Sequence, residues 1–222
     1  MLAYSHSFIH MLFISVVALF PIINPIGSAL IVNPYLSKLS DADKKAAVKK
    51  ISLNAFSICV VTLFAGRWIL QLFGISIPII QLAGGIVICI MGWESLSTRG
   101  DNQNEEKDIE NLTNSNQTKN INDKLFYPIT FPITTGAGTI SVLFTLSAHS
   151  SNADWLNYLI NTAAMLLAII AMCILVYFFY GNTKLIVSKL GVNGQTIANR
   201  FFAFLIFCVG LQIAVTGIKS LF

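Results

Sequence analysis

Six separate apolar runs, at roughly 8–32, 51–73, 78–96, 126–148, 155–180 and 200–221, take up most of the 222 residues. Each is long enough, as a helix, to cross about 30 Å of hydrocarbon at roughly 1.5 Å per residue. A segment crossing lipid must satisfy its backbone internally, so runs of this length are read as helices. Composition agrees: 55% of residues are apolar and 11% charged, with mean hydropathy +0.72, against about 25% charged in soluble domains. The expected fold class is an all-α integral membrane protein with six transmembrane helices. A net charge of +4 does not mark a nucleic-acid partner, because the basic residues flank the spans and do not form a face interleaved with aromatics.

Their distribution sets the expected orientation. The first connection carries Lys38, Lys44, Lys45, Lys49 and Lys50, the third Arg99, Lys107, Lys119 and Lys124, and the fifth Lys184 and Lys189, while the second and fourth carry no Lys or Arg. Cytoplasmic loops are enriched in these residues, so both termini are expected on the periplasmic side of a bacterial inner membrane. Residues 97–125 are rich in Asn, Asp, Glu and Lys and are expected to form a cytoplasmic linker between a first repeat, 1–96, and a second, 126–222. The triplets Asn111-Leu-Thr113 and Asn116-Gln-Thr118 resemble glycosylation sites but fall in that cytoplasmic segment. The N-terminus lacks the basic cluster of a cleaved leader, and the first span is expected to stay in the mature protein.

Phe20-Pro-Ile-Ile-Asn-Pro-Ile-Gly-Ser28 aligns with Phe131-Pro-Ile-Thr-Thr-Gly-Ala-Gly-Thr139 at an offset of 111 residues, half the chain. A duplicated unit of three spans has an odd number of crossings, so its two copies must be inverted relative to each other. In inverted-repeat transporters, paired Gly- or Pro-interrupted helices meet near the bilayer midplane and form the substrate site. Pro21, Pro25, Gly27, Pro132, Gly136 and Gly138 are expected to interrupt helices 1 and 4 here. Interruption frees N–H groups near Ser28 and Thr139, suited to an anion, and carbonyls which, with Asn24, Thr134 and Thr135, suit a cation. The expected binding residues are Asn24, Pro25, Ile26, Gly27, Ser28, Thr134, Thr135, Gly136, Ala137, Gly138 and Thr139. Both signs without a formal charge, lined by small residues, fit a small zwitterion. Proline kinks and small residues also serve close helix packing, but a matched pair at a half-chain offset favours a site.

Other polar groups are weaker candidates. Arg67 and Arg200 lie near span ends, where a long side chain reaches the interface; Arg200, with Asn199, Gly84 and Gly85, is expected to support the site from behind. Glu94 is expected to be wet, and His6, His10 and His149 to be interfacial without a shared register. No Asp or Glu lies deep in a span, so a coupling ion would have to use carbonyls, Asn24, threonines or water. Cys59, Cys89, Cys173 and Cys208 lie in separate spans without CxxC spacing or a nearby His and read as small core residues rather than a redox or metal site. No catalytic triad or phosphate loop is present, so neither enzymatic activity nor a cofactor is expected.

At Phe20-Pro-Ile-Ile-Asn-Pro-Ile-Gly27, Ala83-Gly-Gly-Ile86, Phe131-Pro-Ile-Thr-Thr-Gly-Ala-Gly138 and Arg200, the chain resembles the MarC family of inner-membrane proteins over essentially its full length. The resemblance implies six helices in an inverted three-plus-three repeat and transport of small neutral amino acids such as glycine and alanine. Two positions depart from the family pattern: Gly136-Ala137-Gly138 stands where Gly-Pro-Gly is common, and Phe201-Phe202-Ala203 where a glycine usually follows the arginine. The leading functional expectation is a carrier using alternating access around the two interruptions. Alternatives are a channel for small neutral solutes and a non-transporting membrane protein that assists a partner.

Overall fold

Ser40 starts the longest uninterrupted helix of the first half. Its Oγ accepts the Asp43 N–H at 3.2 Å and donates to Asp43 Oδ2 at 2.7 Å, a reciprocal cap, and Asp41 and Asp43 in the first turn suit the positive helix end. Helix therefore begins ten residues before the apolar run at 51, and Lys44, Lys45, Lys49 and Lys50 lie on its first turns rather than in a loop.

The computed structural model describes residues 2–97, 125–150 and 155–221. Within these limits the elements are α1 (Leu2–Ile23), α2 (Pro25–Leu36), α3 (Asp41–Leu72), α4 (Ile77–Ser97), α5 (Leu125–Thr134, wound in wide turns), α6 (Ala137–Ser150), α7 (Trp155–Gly181) and α8 (Thr183–Lys219). Among the described residues there is no strand. Five stretches are long and apolar enough to cross a membrane, and a sixth is reached if α5 and the start of α6, bent by 60°, count as one span. The fifth connection is also helical: α8 starts at Thr183 and turns at Gly191, whose φ of 60° suits glycine. Most of the expected linker, 98–124, with both glycosylation-like triplets, lies outside the described residues.

The core gathers around one face of α7. Met165, Ile169, Met172, Val176 and Tyr180 recur at three- and four-residue steps and are fully buried against Leu19 and Ile23 of α1, Cys59 and Leu63 of α3, and Val142 and Leu143 of α6. Away from this core, Phe13, Trp68, Leu72 and Trp155 are more than 65% exposed, a surface suited to lipid rather than water. Trp68 and Trp155 mark one end of the bundle and Trp93 the other, as interfacial aromatics do. Cys59 is buried but Cys208 is exposed, so the core reading fails for the latter.

Three hydrogen bonds tie distant segments at the two ends. Ser7 Oγ donates to Asn161 Oδ1 at 3.2 Å at the end holding the N-terminus. At the other end Lys44 Nζ donates to Thr183 Oγ1 at 3.1 Å, and Arg200 Nη1 donates to the Leu96 carbonyl at 3.1 Å. Lys44 of the first connection, the start of α8 and the end of α4 thus share one end.

Candidate substrate site at the two chain interruptions

Pro25 has no N–H to give the Pro21 carbonyl, so regular helix cannot run through this point. Asn24 takes the left-handed conformation, φ 43° and ψ 64°, which Asn tolerates better than most residues. Its Oδ1 accepts the Gly27 N–H at 3.0 Å, and its carbonyl accepts the Ser28 N–H at 2.9 Å and the Ser28 hydroxyl at 2.8 Å. A Cβ on Gly27 would collide with the Asn24 amide, so glycine is what lets this cap close. Of the N–H groups expected near Ser28 for an anion, Asn24 takes two and Pro25 has none. The Pro21 carbonyl in turn lacks the donor that Pro25 cannot supply.

The second interruption has different chemistry. Tyr127 (φ −122°, ψ 123°) and Phe131 (φ −119°, ψ 124°) each precede a proline and are extended, as crowding by the proline ring dictates. Threonine hydroxyls turn back onto the same stretch: Thr130 Oγ1 donates to the Leu125 carbonyl at 2.7 Å, Thr134 Oγ1 to Ile129 at 2.8 Å and Thr135 Oγ1 to Thr130 at 3.1 Å. Helix resumes at Ala137, and the N–H groups of its first turn have no intrahelical acceptor. Thr139 in that turn is 1% exposed, and its Oγ1 has no hydrogen-bond partner. A Cβ on Gly138 would lie 3.0 Å from Ile22 Cγ2 and 3.3 Å from Met91 Sδ. The start of α6 therefore abuts the end of α1, with α4 closing over both.

Tyr180, on α7, joins the two motifs. Fully buried, its hydroxyl lies 2.8 Å from Thr134 Oγ1 and also meets the Ser28 hydroxyl. With the Thr134 proton committed to Ile129, Tyr180 is the donor to Thr134. Nothing in the apolar run Tyr177-Phe-Phe-Tyr180 separates this residue from an interfacial tyrosine; Tyr177 is 47% exposed and Tyr180 not at all.

The remaining expected residues are distributed as follows. Pro25, Gly27, Ser28, Thr134, Thr135, Gly136, Gly138 and Thr139 are buried, Asn24 and Ile26 half-buried, and Ala137 exposed, so Ala137 does not join the buried group. Gly84 packs on Ser141 of α6, and Gly85 on Ala214 and Gly210 of α8. Arg200 is exposed and caps the carboxyl end of α4, a favourable place for a cation. Phe202 lies edge-on to Phe20 at 6.0 Å between centroids, so the bulky residue where the family pattern has glycine packs on the first residue of the motif. His6 and His10 stack at 6.4 Å one turn apart, sharing the register that the sequence did not suggest. The side chains of Arg67 and His149 lie outside those described. A cavity of about 590 Å³ runs from His10 and Thr216, at the end with the termini, inward to Ala18 and Val142, the latter about one turn beyond Thr139.

Helices of this length and surface, arranged around a buried polar centre, define a multi-pass helical membrane protein. Residues 9–222 match the family described as MarC family integral membrane protein. The chain belongs to the MarC family. An inner membrane protein MarC of Escherichia coli (strain SMS-3-5 / SECEC) is 25% identical over 217 residues, 94% of each chain. The protein of the same name from Escherichia coli (strain K12) is 24% identical over the same share. No solved structure matches.

Proposed function

We propose that this protein is a secondary transporter of small neutral amino acids of the glycine and alanine type, working by alternating access around the interruptions at Asn24 and Thr135–Gly136. The observation that carries this reading is the buried Thr139 hydroxyl, left without a partner beside the uncapped start of α6. A buried orphan donor is costly, and a substrate carboxylate is the ligand that an uncapped helix start and a hydroxyl together select. The ammonium would turn toward carbonyls freed by Pro25. With no formal charge in the group, a zwitterion leaves nothing unpaired.

An inverted three-plus-three arrangement is supported by the packing. The first span lies against the fifth as the fourth lies against the second, and the first against the sixth as the fourth against the third. The third and sixth spans run antiparallel: Gly217 of α8 faces Pro78 and Leu82 of α4, while Gly92 faces Phe207. The cavity reaching inward from the terminal end would be the opening to one side. In this reading the protein sits in a bacterial inner membrane with both termini periplasmic.

Two experiments test it. In proteoliposomes, labelled glycine should show saturable counterflow, competed by alanine and serine but at least roughly tenfold less well by lysine or glutamate, whose extra charge would be buried unpaired at a cost of several kcal/mol. Equal competition by lysine would end the zwitterion reading. A reporter active only in the periplasm should work when fused after Phe222; one active only in the cytoplasm at that position would reverse the orientation.

A further inference from the structure

At the lysine-bearing end, a second cavity of about 440 Å³ opens between the first turns of α3, the last turn of α7 and the start of α8. It is lined by Lys44, Lys45 and Lys184 with a single carboxylate, Asp41. Lys44 is 7% exposed, its ammonium held by Thr183 Oγ1 at 3.1 Å and close enough to Lys184 for the two charges to repel. The start of α8 adds to the positive field: its N-cap residue, Asn182, makes no side-chain cap and instead donates Nδ2 to the Phe178 carbonyl at 2.8 Å. Tyr177 and Phe178, both about half exposed, form the apolar side of the opening. Three ammonium groups, one carboxylate and an uncapped helix start thus converge on a hollow at the ends of the apolar spans Asp41–Gly66 and Trp155–Gly181.

We propose that this hollow is a binding site for the phosphate group of an anionic phospholipid, whose acyl chains lie along Tyr177 and Phe178. A phosphodiester supplies the negative charge that relieves the Lys44–Lys184 repulsion, and acceptor oxygens for Lys45 and the first N–H groups of α8. Basic pockets between helices at the cytoplasmic surface take such headgroups, each lysine near an anionic surface contributing enough for roughly a fivefold change in affinity. The site is separate from the Asn24–Thr139 region and does not depend on what is transported.

The test is thermal stability of the purified full chain in detergent, titrated in parallel with phosphatidylglycerol, phosphatidylcholine and inorganic phosphate. Phosphatidylglycerol should raise Tm by roughly 3 °C or more at saturation, with no comparable rise from phosphatidylcholine or from equimolar inorganic phosphate. Lys45→Gln with Lys184→Gln, both exposed side chains, should weaken the phosphatidylglycerol response roughly 25-fold. Lys49→Gln with Lys189→Gln, the same charge change outside the cavity, should leave it within about twofold. Equal response to phosphatidylcholine, full response to inorganic phosphate alone, or equal loss in the two double variants would each overturn the assignment.

Discussion

Replacing Gly85 or Gly210 with leucine should cut the folded protein recovered from the membrane severalfold or more. These glycines lie where α4 and α8 touch backbone to backbone. A Cβ on Gly210 would sit 2.6 Å from the Cys89 nitrogen and 2.9 Å from the Gly85 carbonyl oxygen, and one on Gly85 would strike the Ala214 nitrogen. Gly92 against the Phe207 nitrogen, at 2.6 Å, and Gly217 against the Leu82 nitrogen, at 2.7 Å, continue the seam. Overpacking ordinarily costs about 1–3 kcal/mol, but the obstacle here is main chain on both sides, with no rotamer to move. The whole contact between third and sixth spans must then open, and such small-residue contacts are what holds helices together in lipid. A loss of roughly 3 kcal/mol, more than a hundredfold in the folding equilibrium, is expected. Detergent-extracted, monodisperse yield measures it. Gly181→Ala, where an added Cβ meets nothing within 4 Å, should fold like the parent; a normal yield for Gly85→Leu would mean that the close approach is not real.

Much of the bundle was legible because hydrocarbon thickness is a one-dimensional constraint that apolar run length meets directly. The ends of runs were less legible. The start of α3 at Asp41 is set by the Ser40–Asp43 cap and by lysines whose stems tolerate a helix projecting past the lipid, neither of which hydropathy registers. The neighbourhoods of Asn24 and Gly136 were readable because proline lacks an N–H and cannot continue a helix. Ala137 stands where the family pattern has proline, but the extended residues lie upstream, at Tyr127 and Phe131 before Pro128 and Pro132. Tyr180 could not be read at all, since its role depends on three elements folding around one hydroxyl.

The two motifs also differ in a way that alignment conceals. At an offset of 111 residues Asn24 pairs with Thr135 and Ser28 with Thr139. In the first copy Asn24 takes up both the Gly27 N–H and the Ser28 hydroxyl. In the second motif the Thr135 hydroxyl turns back to the Thr130 carbonyl, which also takes the Thr135 N–H at 2.8 Å, and the Thr139 hydroxyl is left without a partner. The first motif is self-capped and the second leaves a buried hydroxyl without a partner, so under the proposed function a substrate carboxylate would sit at α6 rather than α2.

Thr139→Val should therefore stabilise the protein while nearly abolishing glycine counterflow, an uncommon combination. Valine has the shape of threonine and removes only a buried hydroxyl that has no hydrogen-bond partner, a group whose burial costs about 1–3 kcal/mol. For a chain of this length that corresponds to a rise in Tm of roughly 3 °C or more. Under the proposed function the same substitution would also remove a hydrogen bond to the substrate carboxylate, worth about 1.5–3 kcal/mol when one partner is charged, and so roughly 10- to 100-fold in transport at low substrate. Tyr180→Phe provides the contrast. It strips a hydroxyl that is already bonded to Thr134 at 2.8 Å, so Tm should fall by a comparable amount. Asn24→Gly is the informative change at the other break, because glycine keeps the left-handed backbone that leucine would strain while deleting the cap. Tm and initial counterflow rate, measured on the same preparations, separate the possibilities. If Thr139→Val is more stable yet carries glycine at the parental rate, the orphan hydroxyl is a packing fault and the carboxylate does not bind at α6.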